Sequence, residues 1–137
     1  MQLETLKWLE DIRLAAERIR QFAAGRTAQD YAADELLRSG IERQFGIVGE
    51  ALNQLRRVDP PVAERITDHQ QIIAFRNRLF HRYWDIRPEA VWQFVEDDLV
   101  LLIREVRALL VEGDPEFLNP PSGKPQPFSP QPPQEPS

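Results

Sequence analysis

The chain contains no cysteine. Disulfides, thiol nucleophiles and thiolate metal sites are therefore excluded, and the composition suits a reducing compartment. Long apolar runs are missing too. The first residues, MQLETLKWLEDIRLAAERIR, interleave charged and apolar side chains from the start, unlike a signal peptide or a membrane span. A soluble, cytoplasmic protein without membrane contact is expected. There is no glycine-rich phosphate loop and no serine-triad signature. No histidines and acids stand at metal-ligand spacing, so no metal and no cofactor is expected. Positive charge is scarce overall. The net charge of −5 argues against broad, non-specific binding of nucleic acid by the whole surface. Finally, no segment reads as a strand.

What is present is helical periodicity. Of 137 residues, 42% are hydrophobic, which suits one domain. Leu3, Leu6, Leu9 (with Trp8), Ile12, Ala16, Ile19 and Ala23 recur at helical spacing and predict a helix over about 2–24, with Gly25 at its stop. Thr27 caps a short turn, with Asp30 near its positive end and Tyr31 as an anchor. A second long helix is expected over about 34–58, through Leu37, Ile41, Phe45, Val48, Leu52 and Leu55, ended by Pro60-Pro61. It carries Gly40, Gly46 and Gly49, half of the six glycines. Each costs about 1 kcal/mol of helix stability relative to alanine, which close approach of another backbone would offset. A third helix should start at a capping Asp68 and run through Ile72, Ile73, Phe75, Leu79 and Phe80. Pro88 opens the last helix, whose seam is Trp92, Val95, Leu99, Leu102, Val106 and Leu109.

Three long helices and a shorter one predict an all-α fold, an antiparallel four-helix bundle. Val91, Phe94, Leu101 and Leu110 widen the apolar face of the last helix, so a second packing surface and a homodimer are expected. The domain should cover residues 1–112. From Gly113 to Ser137, nine of 25 residues are proline, so 113–137 reads as a disordered tail.

One stretch stands out: RNRLFHRYW, Arg76 to Trp84. Between Arg76 and Arg87 four arginines face one acid, Asp85, so this segment is +3 and the rest of the chain −8. Arg76 and His81 are about 140° apart on an ideal helix. They converge only through the length of arginine or a loosened helix end, which is expected near His81 to Tyr83. Histidine gives and takes protons near neutral pH. Arginine forks onto phosphate and stabilises charge developing there. The pair suits metal-independent cleavage of RNA, in which the ribose 2′-hydroxyl attacks the adjacent phosphorus. Asn77 can orient the histidine or contact a phosphate oxygen. Tyr83 and Trp84 can stack on bases, and Arg78 and Arg82 can bind RNA phosphates. A lone Arg and His at a helix end are more often a surface contact and a cap. His69 has no evident partner, and Asp97-Asp98 read as solvated charge.

The string Arg76-Asn77-Arg78-Leu79-Phe80-His81-Arg82-Tyr83 reads Arg-x-x-x-x-His-x-Tyr. Together with LEDIRLAAERI, FGIVGEAL, IIAFRNRLFHRYWDI and AVWQFVEDDL, it resembles the HepT-like branch of the HEPN superfamily over about residues 3–110. That resemblance implies the toxin of a type VII-like toxin–antitoxin pair: an all-α homodimer and a metal-independent endoribonuclease. It implies Arg76 and His81 as the catalytic pair and Asn77 and Tyr83 in support. It further implies AMPylation of Tyr83 by a cognate minimal nucleotidyltransferase antitoxin, which silences the toxin. Arg82 departs from the family, where a small or acidic residue is common between His and Tyr. HEPN-like bundles also serve as non-catalytic nucleotide- or partner-binding modules, so that reading stands beside the enzyme, as does a plain dimeric scaffold.

Overall fold

The spacing of apolar residues translates into seven α-helices among the residues that the computed structural model describes, 1–117 without the side chain of Tyr83. They are α1 (Leu3–Ala23), α2 (Ala28–Ala33), α3 (Glu35–Val58), α4 (Pro60–Glu64), α5 (His69–His81), α6 (Pro88–Gln93) and α7 (Leu99–Gly113). A 3-10 turn, Tyr83–Asp85, follows α5. A π-helical turn, Phe94–Asp98, joins α6 and α7 into one continuous helix. No strand occurs among the described residues.

Local chemistry explains the ends. Gly25 takes a left-handed φ of +72° just past α1, where a side chain would be strained. At α2, Thr27 Oγ1 accepts from the Asp30 N–H at 3.1 Å and Asp30 Oδ2 accepts from the Thr27 N–H at 2.9 Å, a reciprocal cap. Asp34 Oδ1 accepts from the N–H groups of Leu36 and Leu37 and starts α3. Arg38 Nη1 donates to the Ala32 carbonyl at 2.9 Å and closes the end of α2. Pro60-Pro61 ends α3 as expected but also opens α4, because proline fits the first helical turn. Asp68 precedes α5 but does not cap it. Its backbone is left-handed (φ 58°, ψ 29°) and its carboxylate makes no cap bond; an N-cap needs extended backbone to aim the side chain at the first N–H groups.

The long helices run antiparallel to their neighbours. Thr5 near the start of α1 donates to Asp59 just past α3 at 2.9 Å, and Phe22 near the end of α1 lies beside Gly40 near the start of α3. Gly113 at the end of α7 lies against Met1 and Leu6, while Glu17 accepts from Arg107. Arg65 forks onto Glu112, at 2.7 and 2.6 Å, and Thr67 bonds Glu105, which ties the start of α5 to α7. The fold is thus an all-α bundle of four long rods, with α2 and α4 as short connectors.

Leu9, Ile12, Ile19, Ile41, Phe45, Val48, Leu52, Leu55, Leu99 and Val106 form the centre of the core. Leu3, expected on that face, is 86% exposed, because the helix begins there. Val91, Phe94 and Leu110 turn out to be buried inside the chain, leaving Leu101 partly exposed. The phenyl ring of Phe94 packs on Phe45 and Phe75 with centroids 5.0 and 5.9 Å away. Tyr31 covers Trp92 at 6.0 Å and donates to Glu42; burial, then the Glu42 carboxylate, push its phenol well above its ordinary value. Most of the excess apolar width of the last helix is therefore consumed by the chain itself. The expected domain end at 112 falls in the last turn of α7, and Phe117 still packs on the core, with the Arg13 guanidinium 5.2 Å above its ring. The rest of the expected proline-rich tail, 118–137, lies outside the described residues. Among those described, no helix is long and apolar enough to cross a membrane.

Candidate active site at the end of α5

Two glycines decide how α5 meets α3. A Cβ on Gly49 would lie 2.5 Å from Arg76 Cγ and 2.8 Å from its Cβ, and one on Gly46 would lie 2.8 Å from Phe80 Cε2. The close approach expected of another backbone is thus made at Gly46 and Gly49 by side chains of α5, while a Cβ on Gly40 would meet only the Phe22 ring at 3.5 Å. The missing side chains leave a recess that Arg76 and Phe80 occupy, one turn apart on α5.

Within it, Arg76 is half-buried. Its guanidinium carbon sits 4.7 Å from the centroid of the Phe80 ring, a cation–π distance. Nη1 donates to Asn77 Oδ1 at 3.0 Å. Nε is buried and meets no hydrogen-bond partner among the described residues. No carboxylate among them reaches ion-pair distance of Arg76, whereas Arg78 and Arg82 both do find one. Among the described residues, Arg76 is thus a cation at the surface of the bundle that touches Asn77 and the Phe80 ring but no carboxylate.

His81 is the last residue of α5 and is exposed. Arg82 then leaves helical geometry (φ −138°, ψ 43°) while its N–H still bonds the Arg78 carbonyl at 2.7 Å. The helix loosens only after His81, so Arg76 and His81 both lie within α5 and stay about 140° apart around it. Among the described residues no hydrogen bond orients His81, and Asn77 serves Arg76 instead. The backbone of Tyr83 opens the 3-10 turn; its side chain lies outside the described residues. Trp84 is 71% exposed.

The matching of a family model decides the relationship. The description "Ribonuclease HepT-like" fits residues 12–109, from α1 through α7. The chain belongs to the HepT-like family. No curated protein and no solved structure matches it. All of RNRLFHRYW lies inside the span that makes this a HepT-like chain.

In this HepT-like chain two features of the site escape the sequence. Arg78 and Arg82 converge on Asp85, at 3.9 and 3.3 Å, so the +3 of the segment is not all offered outward; the three-residue spacing of Arg82 and Asp85 is the signal for half of this. The Phe80 ring lies beside the Arg76 guanidinium rather than in the core, and its four-residue spacing from Arg76 is the corresponding signal.

Proposed function

We propose that this HepT-like chain is the toxin of a toxin–antitoxin pair, a cytoplasmic, metal-independent endoribonuclease. Arg76 grips the scissile phosphate. His81 moves protons at the helix end, and Asn77 holds one edge of the Arg76 guanidinium. In the reaction the 2′-hydroxyl loses its proton and its oxygen attacks phosphorus. The bond to the 5′-oxygen breaks, that oxygen takes a proton, and a 2′,3′-cyclic phosphate and a 5′-hydroxyl result. The observation that carries this reading is the fixed Arg76 cation without a carboxylate partner among the described residues, five residues before an exposed histidine. An arginine fork that no carboxylate occupies is open to a phosphate, and the phosphate of RNA is that anion.

One histidine per chain is thin for both acid and base. A homodimer that brings two α5 ends together supplies the second. Arg78, Arg82 and Trp84 extend the contact to neighbouring phosphates and bases. Tyr83, two residues from His81, is the acceptor for AMP from a minimal nucleotidyltransferase antitoxin. The added phosphate would repel and occlude RNA beside His81.

The test is cleavage of total cellular RNA by purified protein in EDTA, with Arg76→Ala and His81→Ala beside it. Cutting by the wild type, lost in both folded variants, is the expected result. Nucleotide or RNA binding without any cutting would instead make the chain a binding module. Intact mass distinguishes a silenced protein, heavier by AMP units, from an inactive one.

A further inference from the structure

We propose that Phe80 is a positioning residue for Arg76, seated by the recess at Gly46 and Gly49. The inference rests on the reading of Arg76 as the phosphate-gripping group. A free arginine samples many rotamers and meets a phosphate in few of them. Here three contacts restrict it: its stem lies on Gly49, its guanidinium over the Phe80 ring, and its Nη1 on Asn77.

Core packing does not account for Phe80, which is 42% exposed. Helical side chains lean toward the N-terminus, so the ring at 80 tilts back toward residue 76, one turn away. Gly46 admits its far edge. A carboxylate would also fix the arginine, but it would neutralise the charge and use up donors. A phenyl ring covers one face of the guanidinium and consumes none of the in-plane N–H groups, which are the ones that meet phosphate. Side-chain volume alone is not enough for this role, because it requires a flat π face.

The test pairs Phe80→Leu, which removes the ring, with Phe80→Tyr, which keeps it; Phe80→Met repeats the first substitution if leucine unfolds the chain. Two readouts are taken at matched thermal stability. In 15N NMR the buried Nε–H of Arg76 should exchange slowly with water in the wild type and Phe80→Tyr, and rapidly in Phe80→Leu. Cleavage at saturating RNA should fall about ten- to a hundredfold in Phe80→Leu, the scale of a misplacement near 1 Å, and recover in Phe80→Tyr. A protected Arg76 Nε–H in Phe80→Leu overturns the proposal, as does undiminished cleavage by that variant. If a wild type whose intact mass carries no added AMP cuts no RNA, the ribonuclease reading fails, and the NMR comparison alone decides whether Phe80 holds Arg76.

Discussion

Gly49 of α3 and Arg76 of α5 are in contact, backbone against stem: a Cβ on the glycine would lie 2.5 Å from Cγ of the arginine. Gly49→Ala must therefore push α5 or the Arg76 stem away. Overpacking of this kind costs about 1–3 kcal/mol, against a gain of about 1 kcal/mol in helix propensity. Gly40 is the internal comparison. A Cβ there would meet only the Phe22 ring edge, at 3.5 Å, an ordinary contact, so Gly40→Ala should gain up to about 1 kcal/mol. Denaturant midpoints for the two variants should move in opposite directions. A stabilised Gly49→Ala would mean that α5 shifts freely and that the recess is not a constraint.

Asp85 holds two of the arginines that RNA is expected to use. Arg78 and Arg82 approach it at 3.9 and 3.3 Å, all three side chains about half-exposed. Such pairs contribute little to stability, so Asp85→Asn should leave the melting temperature nearly unchanged. Its effect should fall on binding. With the acid gone, the segment gains one net positive charge, RNA affinity rises several-fold at low salt, and the dependence on salt steepens. Titration of a labelled RNA at several salt concentrations reads both quantities. Equal affinity and slope in the variant would show that RNA does not pass Asp85.

Much of the fold was legible because it follows from periodicity and end chemistry, which are local. α3 begins at Asp34 and stops before Pro60-Pro61 because a cap and a proline pair need no distant partner. The seam from Trp92 to Leu109 is buried throughout. What escaped is non-local or depends on backbone shape. Nothing in the order of residues gives Asp68 its left-handed φ, so a residue of capping type does not cap. Phe94 and Val95, in the π turn at Phe94–Asp98, are both buried, as are Val91 with Trp92 and Leu109 with Leu110, whereas a plain seam assigns one core position to each pair. Of the site, the clustering of charge and the weak point after His81 could be read directly. The sequence marked Gly40, Gly46 and Gly49 alike as places of close approach, without saying what approaches or that Gly40 meets only an ordinary contact. Which residue Asn77 would serve was also unreadable, because the contact depends on the rotamer of Arg76.

Phe45 links the core to the motif. Its ring meets Phe75 at 5.8 Å and Phe94 at 5.0 Å, and Phe75 stacks on Phe94 with planes 9° apart. Phe75 is the residue before Arg76. Phe45→Ala removes a fully buried ring and should cost about 3–5 kcal/mol. Phe45→Leu, which keeps most of the volume, should cost much less. If the cluster anchors the motif helix, hydrogen exchange along α5 should quicken in Phe45→Ala more than along α1, measured under conditions where both remain folded. Uniform quickening in both helices would show only global destabilisation.

Two acids should respond to pH in opposite directions. Asp98 lies at the π turn, where burial first, then the charges of Asp97 and Asp68, raise its pKa in the folded chain. An acid raised on folding binds its proton more tightly in the native state. Ionised Asp98 therefore lowers stability fully above its folded value, and the penalty disappears below the unfolded value of about 4. Its side chain makes no cap bond, so Asp98→Asn should raise the melting temperature at pH 7, and that gain should shrink as pH falls and be gone near pH 3. Glu112 is the reverse case. The hydrogen bond from Arg65, with its positive charge, holds this carboxyl below its usual range, so its contribution is present above the unfolded value and is lost as pH falls through the folded one. Because Arg65 grips Glu112 by two bonds rather than one, Glu112→Gln should lower the melting temperature slightly at pH 7, and variant and wild type should converge in acid. Thermal melts of both variants from pH 3 to 7 test the two signs together. Parallel curves for Asp98→Asn and the wild type would mean that Asp98 is freely solvated and that the π turn imposes no charge penalty.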